Sequence, residues 1–101
     1  MRDCFERDVR LTRERMAHIL RHPEMAAFGG EIERVLAVPT VVRASRSDET
    51  VRLFYEFLDR TPVGGKWLCV VVKYVGGDDA FVVTAYLTDK PQAGETLWPI
   101  K

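Results

Sequence analysis

Residues 67–87 read WLCVVVKYVGGDDAFVVTAYL. Two runs rich in β-branched and aromatic residues, Trp67 to Val75 and Ala80 to Leu87, flank Gly76-Gly77-Asp78-Asp79. That order is a β-hairpin signal, because the flanks favour extended backbone and the Gly/Asp tetrad supplies a turn. A turn centred between Gly77 and Asp78 pairs Val75 with Ala80, Lys73 with Val82, Val71 with Thr84 and Cys69 with Tyr86. Side chains alternate along a strand, so this register divides the hairpin into two faces. Leu68, Val70, Val72 and Tyr74 lie opposite Phe81, Val83, Ala85 and Leu87 on a face almost wholly apolar, which is expected to pack on helices. Cys69, Val71 and Lys73 lie opposite Val82, Thr84 and Tyr86 on the other. Lys73 and Thr84 are polar residues inside the most apolar strands of the chain, where such a group needs a partner or a task.

Upstream, Val51 to Leu58 and Val41 to Ser45 read as two further strands, with Arg46-Ser47-Asp48-Glu49 as a turn between them. Val51, Leu53, Tyr55 and Phe57 form the apolar set of the longer strand and are expected on the helix-covered face. Arg52, Phe54, Glu56 and Leu58 then join Lys73, Thr84 and Tyr86 on the open face, as does Arg43. Asp59 to Gly65 is a loop. Before the strands the period changes to that of helices. Thr12 caps a helix from about Arg13 to Arg21 with Met16, Ile19 and Leu20 inward, and Pro23 ends it. Pro23 can open a further turn with His22 as its capping residue. Glu31 to Ala37 is a second helix with Ile32, Val35 and Leu36 inward, closed by Pro39. Thr88 to Lys101 is expected to be loop plus a short edge segment anchored by Trp98. The expected architecture is α+β, with two N-terminal helices packed on one face of a four-stranded antiparallel sheet and residues 1–101 forming a single domain.

Composition narrows the function. Lys and Arg number 15 and Asp and Glu number 15, so bulk charge does not attract nucleic acid and any such site is a local patch. Eleven of the basic residues are Arg, whose planar fork suits phosphate and carboxylate, although a GC-rich genome accounts for the excess better than function does when it is taken alone. No apolar run approaches the roughly 18 residues of a membrane span, so no membrane partner is expected. The charged start MRDCFERDVR is unlike a secretory signal. Cys4 and Cys69 supply neither a disulfide framework nor a four-ligand zinc site, which makes a reduced, cytoplasmic protein the expectation.

His18 and His22 stand four residues apart and away from the Met16, Ile19 and Leu20 stripe. The zincin pattern needs Glu after the first His, where Ile19 stands, and Pro23 separates Glu24 from the helix. No metal and no cofactor are therefore expected. Acid–base work by imidazole and a pair of plain surface histidines both remain open. Arg43, Arg52 and Glu56 on the open face suit substrate binding, while a solvated polar sheet face reads equally well.

Four stretches taken in order resemble the phage-type nucleases of the barnase–EndoU–colicin–RelE-like superfamily: LTRERMAHILRHPEM (residues 11–25), EIERVLAVPTVV (31–42), TPVGGKWLCVVVKY (61–74) and DAFVVTAYLTDKPQAGETLW (79–98). The resemblance implies the same helices-then-sheet fold and metal-independent cleavage of RNA in a toxin-like or phage-conflict setting. The partners it implies are an RNA substrate and an antitoxin or other inhibitor protein. The catalytic positions it implies are His18 or His22, Lys73, Thr84 and Tyr86. In the corresponding mechanism, a base takes the ribose 2′-OH proton and an acid protonates the leaving 5′-oxygen, with histidine leading for either role. Tyr86 donates a hydrogen bond or proton, Lys73 stabilises the phosphorane-like charge, Thr84 positions the phosphate and Glu56 is the reserve base. The alternatives are a non-catalytic module binding RNA or protein through the open sheet face, and a purely structural domain.

Overall fold

A computed structural model describes residues 1–100. Helix α1 spans Arg13–Leu20; the Thr12 hydroxyl caps it by accepting the Arg15 N–H at 3.1 Å. His22 is extended before Pro23, as a residue preceding proline must be, and a 3₁₀ turn follows over Pro23–Met25. The His22 side chain makes no capping hydrogen bond, so its expected capping role is not realised. Helix α2 spans Glu31–Ala37 and buries Ile32, Val35 and Leu36. The strands are β1 (Val41–Ala44), β2 (Val51–Leu58), β3 (Lys66–Val75), β4 (Asp79–Thr88) and β5 (Thr96–Trp98).

The sheet is antiparallel with order β4-β3-β2-β1-β5. It has five strands rather than four, because the edge segment anchored by Trp98 pairs with β1, Val42 opposite Trp98 and Arg43 opposite Thr96. β4 and β5 lie at opposite edges, so residues 89–95 must cross the sheet. Gln92 marks the crossing. Its N–H donates to the Tyr55 hydroxyl at 3.1 Å, and its carbonyl accepts from Arg43 Nη1 at 3.0 Å. Gly94 allows the crossing chain to rejoin the sheet: a Cβ there would stand 2.6 Å from the Ala44 carbonyl oxygen.

The hairpin register departs from expectation near its turn. Gly76 takes a left-handed φ of 65° and the loop holds three residues, so Val75 pairs with Asp79, Tyr74 with Ala80 and Lys73 with Phe81. A bulge then inserts Val83 between the Val72–Val82 and Val71–Thr84 pairs, after which Val71–Thr84 and Cys69–Tyr86 match the expected register. The one-residue slip exchanges faces only on the turn side of the bulge. Val82 is in the core and Phe81 is on the opposite face, the reverse of their expected places.

The core lies between the helices and one sheet face. It gathers Ile19, Met25, Ile32, Val35 and Leu36 against Val42, Phe54, Leu68, Val70, Val72, Val82 and Ala85. The N-terminal segment closes the same side. Buried Asp3 accepts the Tyr74 hydroxyl and the N–H groups of Phe5 and Arg7. Arg10 bridges to Phe81 along the outer edge of β4, covering part of an otherwise unpaired strand.

Strand β2 sits the other way up from the expectation. Arg52 pairs with Val72 and Glu56 with Leu68, which puts both on the helix-covered face; Val51, Leu53, Tyr55 and Phe57 pair with Lys73, Val71, Cys69 and Trp67 on the open one. The physical reason is that neither β2 set is cleanly polar. Phe54 fills the core, and both charged residues of its set find partners at the margins. The Arg52 guanidinium lies over the Phe5 and Tyr74 rings at 4.6 and 4.5 Å. Glu56 accepts from Arg34 of α2 at 2.7 Å. The apolar set builds a second cluster instead, with Leu53, Tyr55 and Cys69 buried among Val41, Val51, Trp67, Val71 and Tyr86.

Candidate functional site

The open sheet face does bring Lys73, Thr84 and Tyr86 to one side. Lys73 stands in the row of Val51 and Phe81, and Tyr86 in the row of Cys69 and Tyr55. Arg43, Leu53, Val71 and Thr84 form the row between them. Arg43 thus shares the face, as expected, but Leu53 and Val71 separate it from Thr84. Arg52 and Glu56 are absent from it because β2 is inverted, which removes one expected phosphate ligand and the reserve base.

Lys73 and Arg43 are already engaged, Arg43 by the Gln92 carbonyl. Lys73 Nζ donates to Asp48 Oδ2 at 3.2 Å. The Asp48 carboxyl is held down at about 2, first by the Thr50 hydroxyl and backbone N–H and then by Lys73. Burial pushes the Tyr86 hydroxyl well above its ordinary range, and the Cys69 thiol beside it raises it further. Tyr55 is pushed to about 12 by burial, and Cys69 to about 11. A phenol held so firmly protonated can donate a hydrogen bond but does not serve as a base near neutrality.

His18 and His22 do not join this group. Ile19, beside His18, is buried in the core on the helix-covered side of the sheet, and Lys73, Thr84 and Tyr86 are on the reverse. No hydrogen bond or ion pair among the described residues links the two sets. Only the family resemblance placed the histidines with this group; two positions can each be polar and solvent-facing on different sides of a sheet, and periodicity carries no information about which side a separate helix takes.

The histidines have surroundings of their own. Both are exposed, and their rings stand 6.4 Å apart, centroid to centroid, at 90°. Thr12, Glu14, Arg15, Ala17, His18 and Arg21 line a shallow depression of about 440 Å³ on the outer face of α1. Arg13, Arg15 and Arg21 are exposed and form no ion pair among the described residues, whereas Arg10 and Arg34 are tied to Asp79 and to Glu31 and Glu56. Arg21 went unnoticed as a candidate in the sequence. Its signal was available, since it lies three residues beyond His18 on one helical face. Arg15 and Arg21 outnumber Glu14 in its lining, so the patch is locally cationic in a chain of zero net charge.

No helix among the described residues is long and apolar enough to cross a membrane. Comparison of the chain with protein-family models, with curated proteins and with solved structures finds no match.

Proposed function

We propose that the chain is a metal-independent endoribonuclease whose reacting groups are His18 on the outer face of α1 and His22 just beyond its end, with Arg15 and Arg21 as phosphate ligands. The observation that carries the reading is the pair of exposed, perpendicular imidazoles 6.4 Å apart beside guanidinium groups that form no ion pair among the described residues. Both rings are exposed and neither is held by a hydrogen bond among the described residues, so each can turn to present a nitrogen to one phosphodiester lying across the pair. One imidazole takes the 2′-OH proton, the 2′-oxygen attacks phosphorus, and the other imidazole gives a proton to the departing 5′-oxygen. The products are a 2′,3′-cyclic phosphate and a 5′-hydroxyl. Guanidinium groups are suited to the extra charge of the phosphorane because their fork matches two phosphate oxygens. An inhibitor protein with an acidic surface is the partner class that fits this cationic helix.

The test is single-turnover cleavage of a structured RNA in excess chelator. His18→Ala and His22→Ala are each expected to lower the rate by about a hundredfold or more, the scale of a lost acid or base. Neither should shift the unfolding midpoint appreciably, because neither side chain packs or caps. Lys73→Ala is expected to cleave normally; a loss equal to that of His18→Ala would move the reaction to the sheet face.

A non-catalytic binding module is the second reading. Phe57 favours it, being 46% exposed on the open face with Trp67 edge-on at 5.5 Å. RNA retained on the protein without cleavage, and released by Phe57→Ala rather than by the histidine variants, would decide for it.

A further inference from the structure

We propose that His18 and His22 chelate a single late transition-metal ion, of the Cu²⁺, Ni²⁺ or Zn²⁺ type, and that this ion silences the patch rather than serving it. Imidazole is a ligand these ions accept readily, through nitrogen at about 2.0–2.1 Å. Two imidazoles on one tetrahedral ion have their ring centroids roughly 5 Å apart by the same bond lengths. The rings stand 6.4 Å apart, so closing the chelate needs a displacement of little more than an ångström. Nothing resists it. Both side chains are exposed, His22 makes no capping hydrogen bond, and neither imidazole appears in a side-chain hydrogen bond among the described residues. The backbone between them is held, since the Arg21 and His22 N–H groups donate back to His18 and Ile19 at 3.3 Å, which fixes the two Cα positions while leaving the rings free to turn.

The site is a two-point one. No group of three His, Cys, Asp or Glu side chains able to hold a metal gathers anywhere among the described residues. Water completes the coordination shell, so the ion exchanges and does not form a closed structural centre. Arg15 and Arg21 oppose the ion and Glu14, one turn before His18, partly offsets them. Hard ions that prefer oxygen, such as Mg²⁺, have no ligand set here. An ion on both imidazoles occupies the nitrogen lone pairs that proton transfer uses. This consequence, inhibition, rests on the nuclease reading; the chelate itself does not.

The experiment is titration of the full chain with CuCl₂, NiCl₂, ZnCl₂ and MgCl₂ by calorimetry. A Cys4→Ser background is used, because the half-buried Cys4 thiol is the other accessible soft ligand. One equivalent of Cu²⁺ is expected to bind most tightly, Ni²⁺ and Zn²⁺ more weakly and Mg²⁺ not at all. His18→Gln and His22→Gln should each weaken Cu²⁺ by about tenfold or more, since either removes half of the chelate. Absence of saturable Cu²⁺ binding, or binding that survives either substitution, overturns the proposal. Cleavage is assayed in parallel, with ZnCl₂ expected to inhibit and chelator to restore it. A chain that binds Cu²⁺ as described yet cleaves no RNA retains the chelate and loses only the nuclease reading.

Discussion

The two faces of the sheet are both apolar along their centres, yet they are stabilised differently. The helix-covered face is closed along its length by α1, the 3₁₀ turn, α2 and the N-terminal segment, and it buries Phe54, Leu68, Val70 and Val72 completely. The other is crossed by residues 89–95, whose Gln92 N–H reaches the Tyr55 hydroxyl; it buries Tyr55 and Cys69 in its own smaller cluster and is left open at Phe57. The contrast teaches that apolar content along a strand does not by itself say which face forms the main core. What decides is which face the connecting segments can reach.

The largest test of this contrast uses two phenylalanines three residues apart on β2. Phe54→Ala is expected to cost about 3–5 kcal/mol, the range for emptying a filled core site. Phe57→Ala should cost under about 1 kcal/mol because its ring is already half in water. Urea unfolding of both variants measures the difference, and equal costs would mean that the open face is covered in solution. Next in size is Asp3→Ala, which leaves the Tyr74 hydroxyl and two N–H groups without their acceptor. A loss of about 2–4 kcal/mol is expected, with Asp3→Asn intermediate; a neutral result would detach the N-terminal segment from the helix-covered side. Gly94→Ala probes the cover on the other face. Its Cβ meets backbone at Ala44, so the crossing segment must shift, at an expected cost of about 1–3 kcal/mol. Faster hydrogen exchange should be confined to β1, β5 and Gln92.

The smallest effect concerns Lys73. The Asp48 carboxyl is held at about 2, below its ordinary value of 3.8, first by the Thr50 hydroxyl and backbone N–H and then by Lys73, so these contacts stabilise the fold above that ordinary value. The contribution is lost as the pH falls from about 4 through 2. Asp48→Asn should flatten that part of the stability–pH curve while changing stability little at pH 7, because the pair is exposed. Lys73→Met should flatten the curve less than Asp48→Asn does, and a Lys73→Met curve identical to that of the unsubstituted chain would leave Lys73 without its partner and available for work on the open face.

Much of the fold was legible locally. Thr12, Pro23 and Pro39 mark helix ends through their own backbone chemistry, and α2 and β2 begin and end where their periodicity predicts. The candidate site was legible only in pieces. His18 and His22 could be placed off the apolar stripe of α1, and Lys73, Thr84 and Tyr86 on a single face, since each inference uses one element or one hairpin. Joining the two sets required knowing which face of the sheet α1 covers.

The sequence by itself determined the kinds of elements, their order, and the division of each strand into two alternating sets, because these follow from turn chemistry and from periods of 3.6 and 2. Tertiary structure alone decided which set of β2 turns inward. Alternation is symmetric, and only the packing of Phe54 against Val42 and Val70 under α2, with Glu56 reaching Arg34, breaks that symmetry. It also decided the hairpin register, where a three-residue loop at Gly76 and the compensating bulge at Val83 satisfy the same strands as a symmetric four-residue turn. Finally, it separated His18 from Lys73. A β-sheet is one layer of chain with two solvents' worth of surface, and the side on which a helix settles is fixed by the sum of its buried contacts, which no single residue spacing records.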